Sequence, residues 1–233
     1  MIIISFPLQG LDISELDLAN LNDWQQIDNI YGGLSRANIS YNQIQNSVKY
    51  INKLFENADP ELFTVEKENF QKHWPGFYAG IEYSSPPKKP YTLGIEFENY
   101  FNSASWKMTN LNTGFQIKED WNFHFLGITG LLNYYFHDWL ALQGGTGLHI
   151  GHQGVTQRDK EDRDYSIYYF SLPALILGVK GDISLNEKLA VNFQLNYRLL
   201  HTYVLDPDDY YRNHFNTETF KGPGIRTGLT YSF

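Results

Sequence analysis

The chain of 233 residues contains no cysteine, which excludes disulfide bonds and thiolate metal sites. It also lacks any run close to the ~20 consecutive apolar residues that a membrane-spanning helix needs. Basic residues are outnumbered, and the net charge of −8 argues against a nucleic-acid partner, which usually requires a basic face. None of these absences excludes a protein that crosses a membrane with β-strands, because such strands give only weak, alternating signals.

Aromatic residues are abundant, at 16% of the chain, and they take part in a strict alternation at the C-terminus. In Gly222 to Phe233 (GPGIRTGLTYSF), aliphatic and aromatic side chains alternate with small or charged ones. Such a strand separates a polar space from an apolar medium. The side chains predicted to face the apolar medium are Ile225, Thr227, Leu229, Tyr231 and Phe233.

This last strand resembles the final strand of bacterial outer-membrane β-barrels. Together with the same period of two upstream, the resemblance implies an all-β fold, an eight-stranded antiparallel up-and-down transmembrane β-barrel. Pro173, in the middle of one strand, predicts a bulge. The connections 152–164 and 202–221 are long and polar, and both fall on one side of the barrel. The predicted strands are 77–84, 91–101, 106–117, 121–136, 139–151, 165–181, 188–201 and 222–233.

The first third of the chain has a different pattern. Apolar residues in 12–31, and again from Leu34 to Phe55, are spaced by three and four, which is typical of helices. We therefore predict an N-terminal helical segment over 1–75, on the same periplasmic side as both termini, and a barrel over 76–233. Met1 to Gly10 is interpreted either as the remnant of a signal peptide or as a buried strand.

Three stretches resemble known bacterial outer-membrane β-barrels. The last strand ends in Phe233, as it commonly does in these proteins. The run Leu131 to Gly151 resembles a hairpin of the small OmpA and OmpX kind, and Tyr169 to Lys180 resembles a strand of Bacteroidetes-type barrels. The resemblance covers about 76–233. It implies a Gram-negative outer membrane, with membrane lipid, lipopolysaccharide and the barrel-assembly machinery as partners.

Six charged side chains are predicted to face the barrel interior. An eight-stranded barrel is filled by side chains, and a buried charge must be paired, so these residues predict a structural salt-bridge network. Because the last strand of a barrel abuts the first, we expect Arg226 to approach Glu82. A gated pore or a proton path is the alternative. The six residues are Glu82, Glu96, Glu98, Lys180, Arg198 and Arg226.

Aromatic side chains cluster at the predicted strand ends, with Leu, Ile and Val between them. Barrels in membranes carry aromatic girdles at both interfaces, so we predict that these side chains face outward. The predicted girdle residues are Trp74, Trp106, Trp121, Trp139, Tyr231 and Phe233.

No complete catalytic constellation is found, so the sequence predicts no enzyme, cofactor or metal. No histidine is followed by serine two residues later, a pair that lipid A deacylases of this shape carry. Asp206, Asp208, Asp209, His201 and His214 offer a weaker alternative, as a cation or protease-like site. The loop 202–221 mixes aromatic and charged residues, which indicates either girdle residues followed by a solvated loop, the favoured interpretation, or a surface that binds a partner. Its predicted contact residues are Tyr203, Tyr210, Tyr211 and Phe215.

The resulting hypothesis is an outer-membrane barrel with a structural or accessory role, as one subunit of a larger complex or alone. The alternatives are a narrow pore or secretion component, and a lipid-active barrel enzyme. A soluble ligand-binding barrel would require an apolar interior. The strand 188–201 instead turns Asn192, Gln194, Asn196 and Arg198 inward.

Overall fold

The computed structural model describes residues 27–84, 90–159, 162–205 and 217–233. Of the predicted features, the segment Met1 to Gly10 and the loop residues Tyr210, Tyr211 and Phe215 lie outside the described residues. So do Asp206, Asp208, Asp209 and His214.

Strands dominate the described chain, together with one helix. The strands are β1 (Ile27–Ala37), β2 (Ser40–Tyr41), β3 (Phe63–Glu68), β4 (Trp74–Ser84), β5 (Tyr91–Asn110), β6 (Gln116–His137), β7 (Leu140–Arg158), β8 (Arg163–Ser184), β9 (Leu189–Leu205) and β10 (Thr217–Ser232). The helix α1 spans Asn42–Glu56. Among the described residues, no helix is long and apolar enough to cross a membrane.

Eight of the strands form a closed antiparallel barrel. Their order is β1-β4-β5-β6-β7-β8-β9-β10, and pairing of β1 with β10 closes it. β2 adds to β10 and β3 adds to β5, outside the circle of eight. The prediction of an eight-stranded antiparallel barrel is therefore confirmed, and the register shift between Ser171 and Ala174 confirms the bulge around Pro173.

One of the eight barrel strands is not among those predicted. The expected strand 106–117 does not exist as a unit, because β5 continues to Asn110 and β6 starts at Gln116. The missing strand is β1, within the segment predicted to be helical. Its exposed residues Ile30 and Leu34 are four positions apart. Residues at this spacing lie on the same face of a helix and also on the same face of a strand, so this pair does not distinguish the two structures.

The helix α1 belongs to the connection between β1 and β4. We call the end where β1 begins and β10 ends the turn end, and the opposite end the loop end. β1 runs from the turn end to the loop end, and β4 runs back, so α1 lies at the loop end. The prediction that the helical segment shares a side with both termini is therefore wrong for the described residues.

The strands are longer than predicted, and the loop-end connections are correspondingly shorter. β7 and β8 leave only 159–162 between them, instead of the predicted loop 152–164. β5 to β8 have 19 to 22 residues each, whereas about 10 tilted residues suffice to cross a bilayer. The surplus extends the barrel wall at the loop end, where β3 pairs with β5 and α1 packs its apolar face on the buried cluster.

The register around the barrel is staggered. Residues opposite one another on neighbouring strands, followed from Gly33 through β4 to β9, lead to Glu218 on β10. The direct partner of Gly33 on β10 is Gly228, ten residues away from Glu218. Such a shear requires the strands to tilt by about 40° from the barrel axis. At about 3.3 Å per residue along a strand, each residue then climbs about 2.5 Å along the axis.

The seam between β1 and β10 can be tested with introduced cysteines. Ile30 pairs directly with Tyr231, and Cα atoms of such pairs are about 4.5–5.5 Å apart, within disulfide range. We expect Ile30→Cys/Tyr231→Cys to form an intramolecular disulfide, seen as a mobility shift of the unfolded, non-reduced chain. Since the protein has no other cysteine, a control with Ile30→Cys/Leu195→Cys should not shift. Equal cross-linking of both pairs would contradict the β1–β10 seam.

Candidate functional site

The candidate site is the interior of the barrel, which is filled in two layers. Along the eight barrel strands, alternate residues point inward and most of them are buried, so one face of each of these strands contributes. Towards the turn end these side chains are charged or polar, and we call them the charged layer. Towards the loop end they are large and aromatic, and we call them the aromatic layer.

In the charged layer, Glu82 of β4 pairs with Lys180 of β8. The Lys180 Nζ lies 2.5 Å from a Glu82 carboxylate oxygen and 3.4 Å from Asp182, and both Glu82 and Lys180 are fully buried. The Asn133 amide donates to the same Glu82 oxygen over 2.7 Å. The Asn29 amide donates to the other oxygen over 3.1 Å. This carboxylate is therefore satisfied by one cation and two amides.

Glu98 is the centre of the second part of the layer. The Arg198 Nη2 lies 2.9 Å from Glu98, and the Arg226 guanidinium also binds this carboxylate. His149 contacts it through Nε2. Arg226 binds Glu96 as well, so two guanidinium groups and two carboxylates form one chain of charge-assisted bonds across the barrel.

The structure thus brings the six predicted interior charges together, but in different pairs from the one we expected. Arg226 binds Glu96 and Glu98, whereas Glu82 binds Lys180. Within the described chain no Arg226–Glu82 contact is present.

Tyrosine rings line the cations of this layer. Lys180 lies over the ring of Tyr31 with its Nζ 4.7 Å from the centroid. Arg198 lies over Tyr100 and Arg226 over Tyr78, each with its Cζ 4.9 Å from the ring centroid. A desolvated cation over an aromatic face gains cation–π attraction, so these rings offset part of the cost of burying three positive charges.

The aromatic layer closes the other half of the interior. Phe123 lies near its centre, with ring centroids of Trp74 at 5.6 Å and Phe70 at 5.4 Å. The Phe125 and Phe220 rings meet at 4.7 Å in an edge-to-face arrangement, a favoured geometry. The rings of this layer are Tyr41, Phe70, Trp74, Trp106, Trp121, Phe123, Phe125, Tyr169 and Phe220.

Three of the predicted girdle residues belong to this layer, so their outward placement is wrong. Trp74, Trp106 and Trp121 are 1%, 0% and 1% exposed. The alternation along the strand does indicate the inward placement. Trp121 is an even number of residues away from Phe125 and Gly127, which face inward, so its side chain lies on the same face. By contrast, Trp139, Tyr231 and Phe233 lie exposed at the turn end.

The helix α1 packs on the aromatic layer from the loop end. Its residues Ile44, Ile51 and Phe55 are buried in the same apolar cluster. The Trp106 indole N–H donates to Asn52 over 2.9 Å, and the Ile44 backbone N–H donates to Glu218 over 3.1 Å. Burial, and after it the Glu218 carboxylate, raise the pKa of the neighbouring Tyr41 hydroxyl.

The arrangement binds charges tightly but gives solutes little access to them. His149 is 1% exposed and faces Glu98, so it is not accessible as a base for an external substrate. Of the other predicted groups, His201 contacts Thr219 through Nδ1 at 3.2 Å, and Tyr203 is exposed. Across the described ranges, no group of three or more His, Asp or Glu side chains is placed to hold a metal ion.

A polar cavity of about 770 Å³ opens at the turn end. Asp28, Asp138 and Asp182 contribute carboxylates to its lining, along with Tyr135 and Thr230. Asp182 contacts Lys180, so the floor of this cavity is the charged layer.

No protein-family model matches the chain, and no curated protein matches it in sequence. Among solved structures it is similar to Ail, the attachment invasion locus protein of Yersinia pestis, with TM-score 0.44 and 12% identity over 89% of this chain and 100% of that chain. It is also similar to the outer membrane protein OprG from Pseudomonas aeruginosa, with TM-score 0.40 and 14% identity over 89% and 97% of the two chains.

The outer membrane protease OmpT from Escherichia coli is a further neighbour, with TM-score 0.38 and 11% identity over 89% and 98% of the two chains. Strand pairing and the interior define the class by themselves: a closed eight-stranded β-barrel with a filled interior.

Proposed function

We propose that the protein is a bacterial outer-membrane barrel with a structural or accessory role, alone or as a subunit of a larger membrane complex. The observation that carries the proposal is the outer wall, where large apolar side chains lie exposed on every strand of the barrel. Leu34, Ile128, Leu177, Leu195 and Ile225 are each more than half exposed. A wall of this kind, around a charged interior, suits a protein surrounded by lipid.

The height of the apolar wall supports the same proposal. On β10 the outward positions between Tyr231 and Lys221 span ten residues, or about 25 Å along the axis, the thickness of a barrel's apolar band. Beyond this band towards the loop end, histidines occupy outward positions on neighbouring strands, with His124 paired to His152. Polar imidazole side chains at this height are compatible with the lipid headgroup region of a membrane.

The orientation follows from the asymmetry of the two ends. In outer-membrane barrels the short turns face the periplasm, and the longer loops face outward. We therefore propose that the turn end, with both described chain ends, is periplasmic and that α1 lies on the outer side. Membrane lipid, including lipopolysaccharide, and the barrel-assembly machinery are the proposed partners. The loop end, including the outward Tyr203, is the proposed surface for protein partners.

Detergent dependence tests the proposal. Because the apolar wall must be covered, we expect the folded protein to stay monodisperse only in detergent or lipid. It should also migrate differently on gels before and after boiling. A monomer that remains soluble and folded after detergent removal would overturn the membrane proposal.

The filled interior leads to a second expectation, about conduction. The charged layer and the aromatic layer close the interior in series, so the reconstituted protein should show no sustained single-channel conductance in planar bilayers. A porin of known conductance, added to the same bilayers, serves as the positive control. Long-lived openings of porin size would favour the alternative of a pore.

A further inference from the structure

One charged residue lies on the outer wall, inside the apolar band. Arg36 is the last outward residue of β1, and its side chain is exposed. Its neighbours on that face are Leu34, 71% exposed, and its β10 partner Ile225, 62% exposed. Ile225 precedes Tyr231 by six positions, so Arg36 lies about 15 Å above the aromatic residues of the turn end and about 10 Å below the other edge of the band.

Among the described residues Arg36 makes no ion pair. The outward side chains around it are apolar or neutral hydroxyls and amides, apart from the imidazole of His73. A cation on the lipid-facing wall at this depth is destabilising, which makes an anion from outside the protein the natural partner.

Arg36 borders a groove of about 360 Å³. The groove exists because β4 begins only at Trp74, whereas β5 continues past it and pairs with β3. Its lining has an apolar part and a polar part. The apolar part includes Leu34, Pro75 and Ile225, and the polar part includes Arg36, Gln71 and His73. The groove thus offers a polar pocket next to an apolar surface.

The polar side of the groove is held in place by the strand behind it. The buried Asn102 side chain of β5 accepts from the Gln71 backbone N–H over 3.1 Å and donates to the Gln71 carbonyl over 2.9 Å. Next to this clamp, Phe70 is packed into the aromatic layer. Gln71 and His73 are therefore carried on a fixed segment.

We propose that this groove binds the phosphate of an anionic membrane lipid. The inference rests on the proposed membrane location. The Arg36 guanidinium matches the phosphate with two parallel N–H bonds, the planar recognition for which arginine is best suited. His73 and Gln71 supply further donors, and an acyl chain lies along Leu34 and Ile225.

The competing explanation is that Arg36 extends along the wall to water and binds nothing. Long cationic side chains at membrane edges do this. The two explanations differ in whether phosphate-bearing lipid stays with the protein, and in whether arginine is needed rather than any cation.

Native mass spectrometry of the folded protein, released from micelles doped with phosphatidylglycerol and phosphatidylcholine, tests the site. We expect the wild type to retain phosphatidylglycerol over phosphatidylcholine. The preference should fall about tenfold in Arg36→Gln, about threefold in His73→Gln, and to an intermediate value in Arg36→Lys, which keeps the charge but loses the fork. Lys188→Gln, which removes an exposed cation at the turn end, is the matched control and should not change it.

Other outcomes would overturn the inference. Unchanged retention in Arg36→Gln, with unchanged heat-modifiable mobility, means that Arg36 only reaches water, and the proposed membrane function still stands. Displacement of the lipid by millimolar inorganic phosphate means that the groove holds a soluble anion. A wild-type protein that needs no detergent removes both the site and the proposed function.

Discussion

Replacing Arg226 by methionine is expected to lower the free energy of unfolding by about 3–5 kcal/mol. The substitution keeps much of the side-chain volume but leaves Glu96 without the cation that it binds, inside a fully buried layer. Glu98 keeps Arg198 as a partner, so the main loss is at Glu96. Urea unfolding in lipid vesicles, followed by tryptophan fluorescence and by heat-modifiable mobility, measures the change.

A surface arginine provides the control for this experiment. Arg158 is 40% exposed and forms ion pairs with Asp162 and Asp164, so Arg158→Met should cost no more than about 1 kcal/mol. Adding Glu96→Gln to Arg226→Met should recover part of the loss, because the unpaired carboxylate is then neutral. Equal costs for the two arginine variants would contradict the buried network.

The second large effect is expected in the aromatic layer. Phe123→Ala should cost about 3–5 kcal/mol, because it opens a cavity among rings from several elements that cannot all move inward. Tyr41, Phe70, Trp74 and Tyr169 all contact the Phe123 ring. The same unfolding assay measures it, and the loosened packing should also increase proteolysis at the loop end.

Phe101 is the matched control for Phe123. It has the same side chain on the adjacent strand but is 49% exposed on the outer wall, so Phe101→Ala leaves no internal cavity. Its cost should therefore be at least twofold smaller. A Phe123→Ala variant as stable as Phe101→Ala would mean that the aromatic layer does not hold the loop end together.

The faces of the strands were predictable from the sequence, since period-two alternation is local. On β9, the exposed residues Leu195, Tyr197 and Leu199 are those predicted to face outward. The boundaries were less predictable, because β5 and β6 run past the polar residues at which a membrane strand would end. The same effect explains why the sequence predicts Trp106 and Trp121 at the interfaces, although the alternation along β5 and β6 turns both side chains inward.

Contacts across the barrel depend on the register, which the alternation does not fix. The expected pair of Arg226 and Glu82 assumed that adjacent strands bring their inward charges to one height. Arg226 is opposite Ser35, and Ser35 is opposite Gly76. Glu82 lies six residues further along β4, or about 15 Å nearer the turn end. Only the closed barrel, with β1 between β10 and β4, shows which charges meet.

The seam has a consequence for biogenesis. β1 is the first described strand to leave the ribosome, and β10, with which it closes the barrel, is the last. Until β10 arrives, one edge of β1 has unpaired backbone groups, and such an edge invites pairing with other chains. Closure also joins the most distant parts of the described sequence. We expect this step to be slow, because the chain loses its conformational entropy before the contacts between β1 and β10 form. This open edge is therefore the point at which a folding catalyst would act.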